Sequence, residues 1–114
     1  MTSKITFDPA APKSYDEGSY ASVTANFYDS AGTAAAPTSI RYRVEDVETE
    51  KGVLGWTTAT AAATVVLSVN ASYNVMQDES NRRERKQLTV EANQGTSTAM
   101  SATTYYDIIN RLGI

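Results

Sequence analysis

The chain is written in short segments that alternate apolar and polar residues. Tyr20 to Tyr28 is the clearest: Ala21, Val23, Ala25 and Phe27 share one face, and Tyr20, Ser22, Thr24, Asn26 and Tyr28 share the other. Strand side chains point to opposite faces with a period of two, so this segment predicts a strand with one face buried. The pattern returns in Ser39 to Glu45, where Ile40, Tyr42 and Val44 point one way and Arg41, Arg43 and Glu45 the other. It returns again in Thr64 to Val69 (Val65, Leu67, Val69 inward) and in Gln87 to Ala92 (Leu88, Val90, Ala92 inward). The last instance, Met100 to Ile109, places Met100, Ala102, Tyr106 and Ile108 together.

Between these strands the turn signals are legible. Ile5 to Asp8 reads as a short first strand stopped by Pro9 and Pro12, hence an edge strand, because proline donates no ladder hydrogen bond. Ser14 to Gly18 reads as a polar turn. Asp29-Ser30-Ala31-Gly32 is a turn in which Asp caps its own backbone and Gly accepts positive φ, and the connection runs on to Pro37. Asp46 to Gly52 is a charged hairpin loop, Val53 to Thr57 a further strand with the only tryptophan, Trp56, and Asn93 to Ser97 a turn around Gly95. Thr57 to Thr64 is low in complexity. Asn70 to Glu84 is the hardest stretch: Val75 and Met76 suit a plug at the base of a sandwich, and QDESNRRER has helix formers enough for a short helix. About seven short strands spaced by roughly 8–12 residues predict an all-β fold, a single Ig-like β-sandwich of antiparallel strands filling 1–114. The competing reading is an α+β domain with a helix at Val75 to Lys86.

Composition narrows the function. With 114 residues, one domain can bury its own core. The apolar share is 41%, much of it alanine, so large core side chains are scarce. The net charge of −3 and the pI near 4.8 argue against nucleic-acid binding, which favours a basic stripe. There is no cysteine, which excludes a disulfide scaffold, and no histidine, so the commonest general base and the usual zinc ligands are missing. The opening MTSKITFDPAAP has no apolar run of the kind a secretory signal needs, and no stretch has the roughly 20 apolar residues of a membrane helix. No cofactor is expected.

Candidate chemistry is thin. The acidic run Glu45, Asp46, Glu48 and Glu50 offers oxygens to calcium, but it lacks the EF-hand ligand order and holds Lys51 in its midst, so a solvated hairpin tip is the simpler reading. The basic run Arg82, Arg83, Arg85 and Lys86 could grip phosphate, but Asp78, Glu79 and Glu84 cancel most of its field. A third reading pairs the acidic loop of one copy with the basic loop of another, setting register in an assembly. Asn70-Ala71-Ser72 matches a glycosylation sequon, without a signal to bring it into use. Asp16 and Glu17 are adjacent, so on a strand they face opposite ways and cannot converge as an acid/base pair. The chain is therefore expected not to be an enzyme. Tyr20, Tyr28 and Tyr105 fall on polar faces and suit a binding surface, unless a one-residue register error has reversed the faces.

Taken together, SYDEGSYASVTANFYDSAGTAAAPTSIRYRVED, TVVLSV, RKQLTVEA and the closing YYDIINRLGI resemble the small Ig-like or fibronectin-like virion proteins of tailed bacteriophages. The matching positions are Glu17, Gly18, Tyr20, Asp29, Gly32, Pro37, Thr38, Leu88, Val90, Glu91 and the tail Asn110 to Ile114. Antibody-type domains carry a cysteine pair on strands B and F and a tryptophan on strand C; this chain has Val23 or Ala25 and Val90 there, and Trp56 falls later. The resemblance implies a structural virion part made in the host cytoplasm, first of all a capsid decoration or cement protein that bridges the major capsid protein or neighbouring copies of itself. A neck or tail component, or an adhesion module stacking Trp56 and Tyr28 on host carbohydrate, are the other roles it leaves open. Neither nucleic acid nor membrane is an expected partner. A free N-terminal arm, 1–12, with Ile5 and Phe7, and a short tail with Tyr105, Ile109, Arg111 and Ile114, are the natural bridging segments. The charged loops add Glu45, Asp46, Glu48, Arg82, Arg83 and Arg85 as candidate inter-subunit contacts.

Overall fold

Alternation in the sequence becomes alternation in burial. In the computed structural model, which describes residues 3–8, 12–78 and 80–110, strand β3 (Ala21–Tyr28) buries every second residue, with Ala25 and Phe27 fully inside. Seven further strands lie among the described residues. They are β1 (Lys4–Asp8), β2 (Lys13–Asp16), β4 (Ile40–Asp46), β5 (Gly52–Ala59), β6 (Thr64–Val69), β7 (Arg83–Ala92) and β8 (Met100–Ile109). They form two sheets, ordered β1-β3-β6 and β2-β8-β7-β4-β5.

The two sheets face each other across one apolar cluster. The three-stranded sheet contributes Ala21, Val23, Ala25, Phe27, Leu67 and Val69; the five-stranded sheet contributes Ile40, Tyr42, Val44, Leu88, Val90, Ala92, Tyr106 and Ile108. Each large member is worth about 1.5–3 kcal/mol of burial. The Tyr42 hydroxyl crosses between the layers and donates to the Ser68 carbonyl at 2.7 Å. The all-β, two-layer arrangement agrees with the expectation from the sequence, and so do the inward faces of β3, β4, β6 and β7.

Several readings of the sequence are corrected. The strands number eight, not about seven, and one pair is parallel: β2 runs alongside β8 from Lys13↔Tyr106 to Asp16↔Ile109, where a polar turn was expected at Ser14 to Gly18. The N-terminal arm is not free over Lys4–Asp8. That segment pairs antiparallel with β3, Ile5 opposite Phe27 and Phe7 opposite Ala25, and both side chains pack against the core. β1 thus belongs to one sheet and β2 to the other. The helix at Val75 to Lys86 does not form: a single 3₁₀ turn at Ala71–Tyr73 is the only helix among the described residues, and β7 begins at Arg83. Met76 is buried as a plug should be, but Val75 is exposed.

The turns follow their side chains. Asp29 Oδ1 accepts the N–H groups of Ala31 and Thr33 at 2.9 and 3.0 Å, and Gly32 takes φ +84°. Asn93, at φ +55°, accepts the N–H and hydroxyl of Thr38 on its Oδ1, tying the β3–β4 and β7–β8 connections together.

Candidate functional site

The residues left over from the core build a face. Because Ile40, Tyr42 and Val44 point inward, Arg41, Arg43 and Glu45 point outward from β4. By the same alternation β7 presents Arg83, Arg85, Gln87, Thr89 and Glu91, and β8 presents Ser101, Thr103, Tyr105 and Asp107. Register aligns them in rows across the sheet. Thr103, Thr89 and Arg43 form one row, Ser101, Glu91 and Arg41 the next. On β5 a bulge sets Gly55 and Trp56 opposite Arg43.

Trp56 anchors one edge of this face. Its ring lies under two guanidinium groups, with the Arg41 carbon 4.0 Å and the Arg43 carbon 4.8 Å from the ring centre. Arg41 is held there by Glu91, which accepts from Nε at 2.8 Å and Nη2 at 2.6 Å. Arg43 Nε is covered and lacks a hydrogen-bond acceptor, and Glu45 Oε1 stands 3.3 Å away as its ion-pair partner. A guanidinium over an indole face gains from the ring quadrupole. A second such group lies at the opposite edge of the face. Arg85 forks onto Asp107 at 2.9 and 3.2 Å, Arg83 approaches the same carboxylate at 3.5 Å, and Tyr105 lies beside Arg85. On β4, β7 and β8 the face thus carries four arginines and three carboxylates, in a chain whose net charge is −3.

Three charged groups off the face are locked inside. Lys86 is fully buried; its Nζ donates to Asp46 Oδ1 at 2.8 Å and Glu84 Oε1 at 3.0 Å. Asp46 Oδ2 accepts the N–H and hydroxyl of Thr49. Glu84 accepts the N–H groups of Gln77 and Asp78 and the amide of Asn81. Burial works to raise the Asp46 and Glu84 carboxyl pKa values, but these donors outweigh it and hold both below their ordinary range. Beside this cluster Asn74 donates to the Ser19 carbonyl and accepts the Tyr106 hydroxyl at 2.8 Å. Burial pushes the Tyr106 phenol far above its ordinary pKa. The network pins the β6–β7 connection across the base of the sheets.

This placement redistributes the expected contact residues. Asp46 is a correction: it is 2% exposed and its partner Lys86 belongs to the same chain, so this part of the acidic and basic runs pairs within one copy. Ile5 and Phe7 are half-buried against the core. Glu45, Arg83, Arg85, Tyr105 and Ile109 lie on the outer face or its margin. Glu48 and Arg82 are exposed in the loops at the base. Arg111 and Ile114 lie outside the described residues. The grouping of Trp56 with Arg41 and Arg43 was not legible in the sequence: the outward parity of Arg41 and Arg43 was visible, but not the bulge that brings Trp56 to them.

Other readings of the sequence find no geometry. Tyr28 lies on the outer face of the three-stranded sheet, stacked by Lys4, on the opposite side of the molecule from Trp56. Among the described residues no group of three or more acidic, histidine or cysteine side chains is placed to hold a metal ion. Among the described residues no helix is long and apolar enough to cross a membrane. No protein-family model matches the chain, and neither curated proteins nor solved structures give a match.

Proposed function

We propose that this protein is a non-enzymatic structural module with an Ig-like strand plan, and that it serves as a bacteriophage capsid decoration protein, binding the major capsid protein lattice through the outer face of its five-stranded sheet. The observation that carries the reading is the Trp56 group. An indole stacked by Arg41 and Arg43, with Arg85 and Tyr105 across the sheet, brings together the three residue types that dominate binding energy at protein interfaces. The face is built from strands, so a partner meets it without ordering loops. Its arginines favour a partner surface rich in carboxylates and flat apolar area.

The role in a virion rests on the resemblance of the strand and turn segments. The strand order supports that resemblance: β1-β3-β6 and β2-β8-β7-β4-β5 follow the A-B-E and A′-G-F-C-C′ plan of Ig-like domains. Binding of the purified protein to capsids stripped of surface proteins tests the reading. The unaltered protein is expected to co-sediment with them. Trp56→Ala is expected to weaken binding by about 2 kcal/mol or more, and Arg43→Glu to weaken it with an unchanged melting temperature. Binding to tails instead of heads would move the module to the neck or tail, and binding indifferent to both substitutions would discard this face.

A further inference from the structure

A sheet edge is a row of N–H and C=O groups without strand partners, and proteins guard such rows with charge, proline or a bulge. Four strands end the two sheets here, namely β1, β6, β2 and β5. Three are guarded. β1 begins with Lys4 and ends with Asp8; β2 follows Pro12 and carries Lys13 and Asp16; β5 is bulged at Gly55 and Trp56. β6, with the sequence TVVLSV, has no charge, no proline and no glycine, and its register with β3 is unbroken from Ala21↔Val69 to Asn26↔Thr64. Its central residue Val66 is 58% exposed, more than any other large apolar side chain described.

The ladder decides which groups look outward. The Phe27 N–H donates to the Ala63 carbonyl, so the hydrogen-bonded pairs of this antiparallel ladder are those in phase with it: Ala25 with Val65, Val23 with Leu67, Ala21 with Val69. The backbone groups of Thr64, Val66 and Ser68 therefore point to the open edge. The Ser68 carbonyl agrees, since it accepts the Tyr42 hydroxyl rather than a strand N–H of β3.

We propose that β6 pairs antiparallel with β6 of a second copy about a two-fold axis at Val66, joining the two three-stranded sheets into one of six strands. Side chains directly opposite must lie on the same face. A dyad at Val66 meets that rule, setting Val66 against its counterpart, Thr64 against the second copy's Ser68, and Val65 against its Leu67. It also sets the outward backbone groups of positions 64, 66 and 68 against each other, in phase for hydrogen bonding, with the Ser68 carbonyl using its second lone pair because the first takes the Tyr42 hydroxyl. The two exposed valines cover one another, and Thr64 and Ser68, whose hydroxyls bond Asn26 and Tyr20 of their own chain, flank them. An isologous contact brings like against like at its axis, and this edge brings no charge to that meeting. The contact is small, so the dimer is weak alone and gains strength where many copies stand side by side. The inference does not rest on the capsid reading, and its test uses the purified protein alone.

Two measurements test it. In sedimentation over a rising concentration series the protein is expected to shift from monomer to dimer, and Val66→Lys, which opposes two ammonium groups at the axis, to weaken dimerisation roughly tenfold or more with the melting temperature unchanged. The chain has no cysteine, so Val66→Cys offers a single thiol. A short thiol–thiol crosslinker is expected to join Val66→Cys into a dimer, and not Thr103→Cys, which is exposed on β8 opposite Thr89 of β7, away from the β6 edge. A protein that stays monomeric at millimolar concentration, or crosslinking no faster at position 66 than at 103, overturns the proposal. Either result would leave the edge to a strand of a different chain.

Discussion

At the scale of single residues, the decisive one is Lys86. It stands two positions before Leu88 on the inward face of β7, where an apolar side chain would be the default, and is balanced by two carboxylates whose remaining oxygens are all bonded. Removing one member of such a buried group strands the others, at a cost of about 3–5 kcal/mol. Lys86→Met is expected to lose that much stability by urea unfolding at neutral pH, whereas a loss of a few tenths would mean the cluster is open to water. The acid response follows from the same group. Asp46 and Glu84 titrate lower in the folded chain than their ordinary values of 3.8 and 4.5. Their stabilising contribution is therefore complete above those values and is lost as the pH falls through the lower, folded-state values. The urea midpoint is expected to hold steady from pH 8 to 6 and to drop as the pH goes below about 4.5. The deficit of Lys86→Met is expected to narrow on the same descent, because the stranded carboxylates can then take up protons.

At the scale of elements, the strands with apolar inward faces were legible because each inward position announces itself. Leu88 is fully buried as its alternation required. Leu88→Ala is expected to cost about 2–5 kcal/mol, measured by chemical denaturation, and a near-neutral change would place β7 the wrong way round. The start of β7 was illegible for a physical reason. Arg83, Glu84, Arg85 and Lys86 alternate outward and inward as faithfully as Gln87 to Ala92, but both inward residues are charged. Charge reads as solvent unless the partner is known, and Asp46 lies forty positions away. β2 escaped notice because Lys13–Asp16 is short, polar and joined to β8 by a parallel pairing that leaves no local turn signal. β1 was read correctly as an edge strand but wrongly as a free arm, since its half-buried Ile5 and Phe7 have partners distant in sequence.

At the scale of the whole molecule, the chain is a slab of 49 × 23 × 21 Å with three surfaces of different character. One broad face carries Trp56 and the arginines. The opposite face is a field of hydroxyl and amide groups, where Tyr20 bonds Ser68 and Thr64 bonds Asn26. The third surface is the side between β5 and β6, drawn from a stretch, Gly52 to Val69, that contains no charged residue. On the proposed reading the Trp56 face turns to the shell and the unguarded β6 edge to a neighbouring copy. The measurement that tests this most directly is cryo-electron microscopy of particles from the native source. The account expects repeated density of this two-sheet shape on the capsid lattice, with the β4–β7–β8 face and Trp56 turned toward the shell. Particles without such density, or with the module seated by its hydroxyl-rich face, would contradict it.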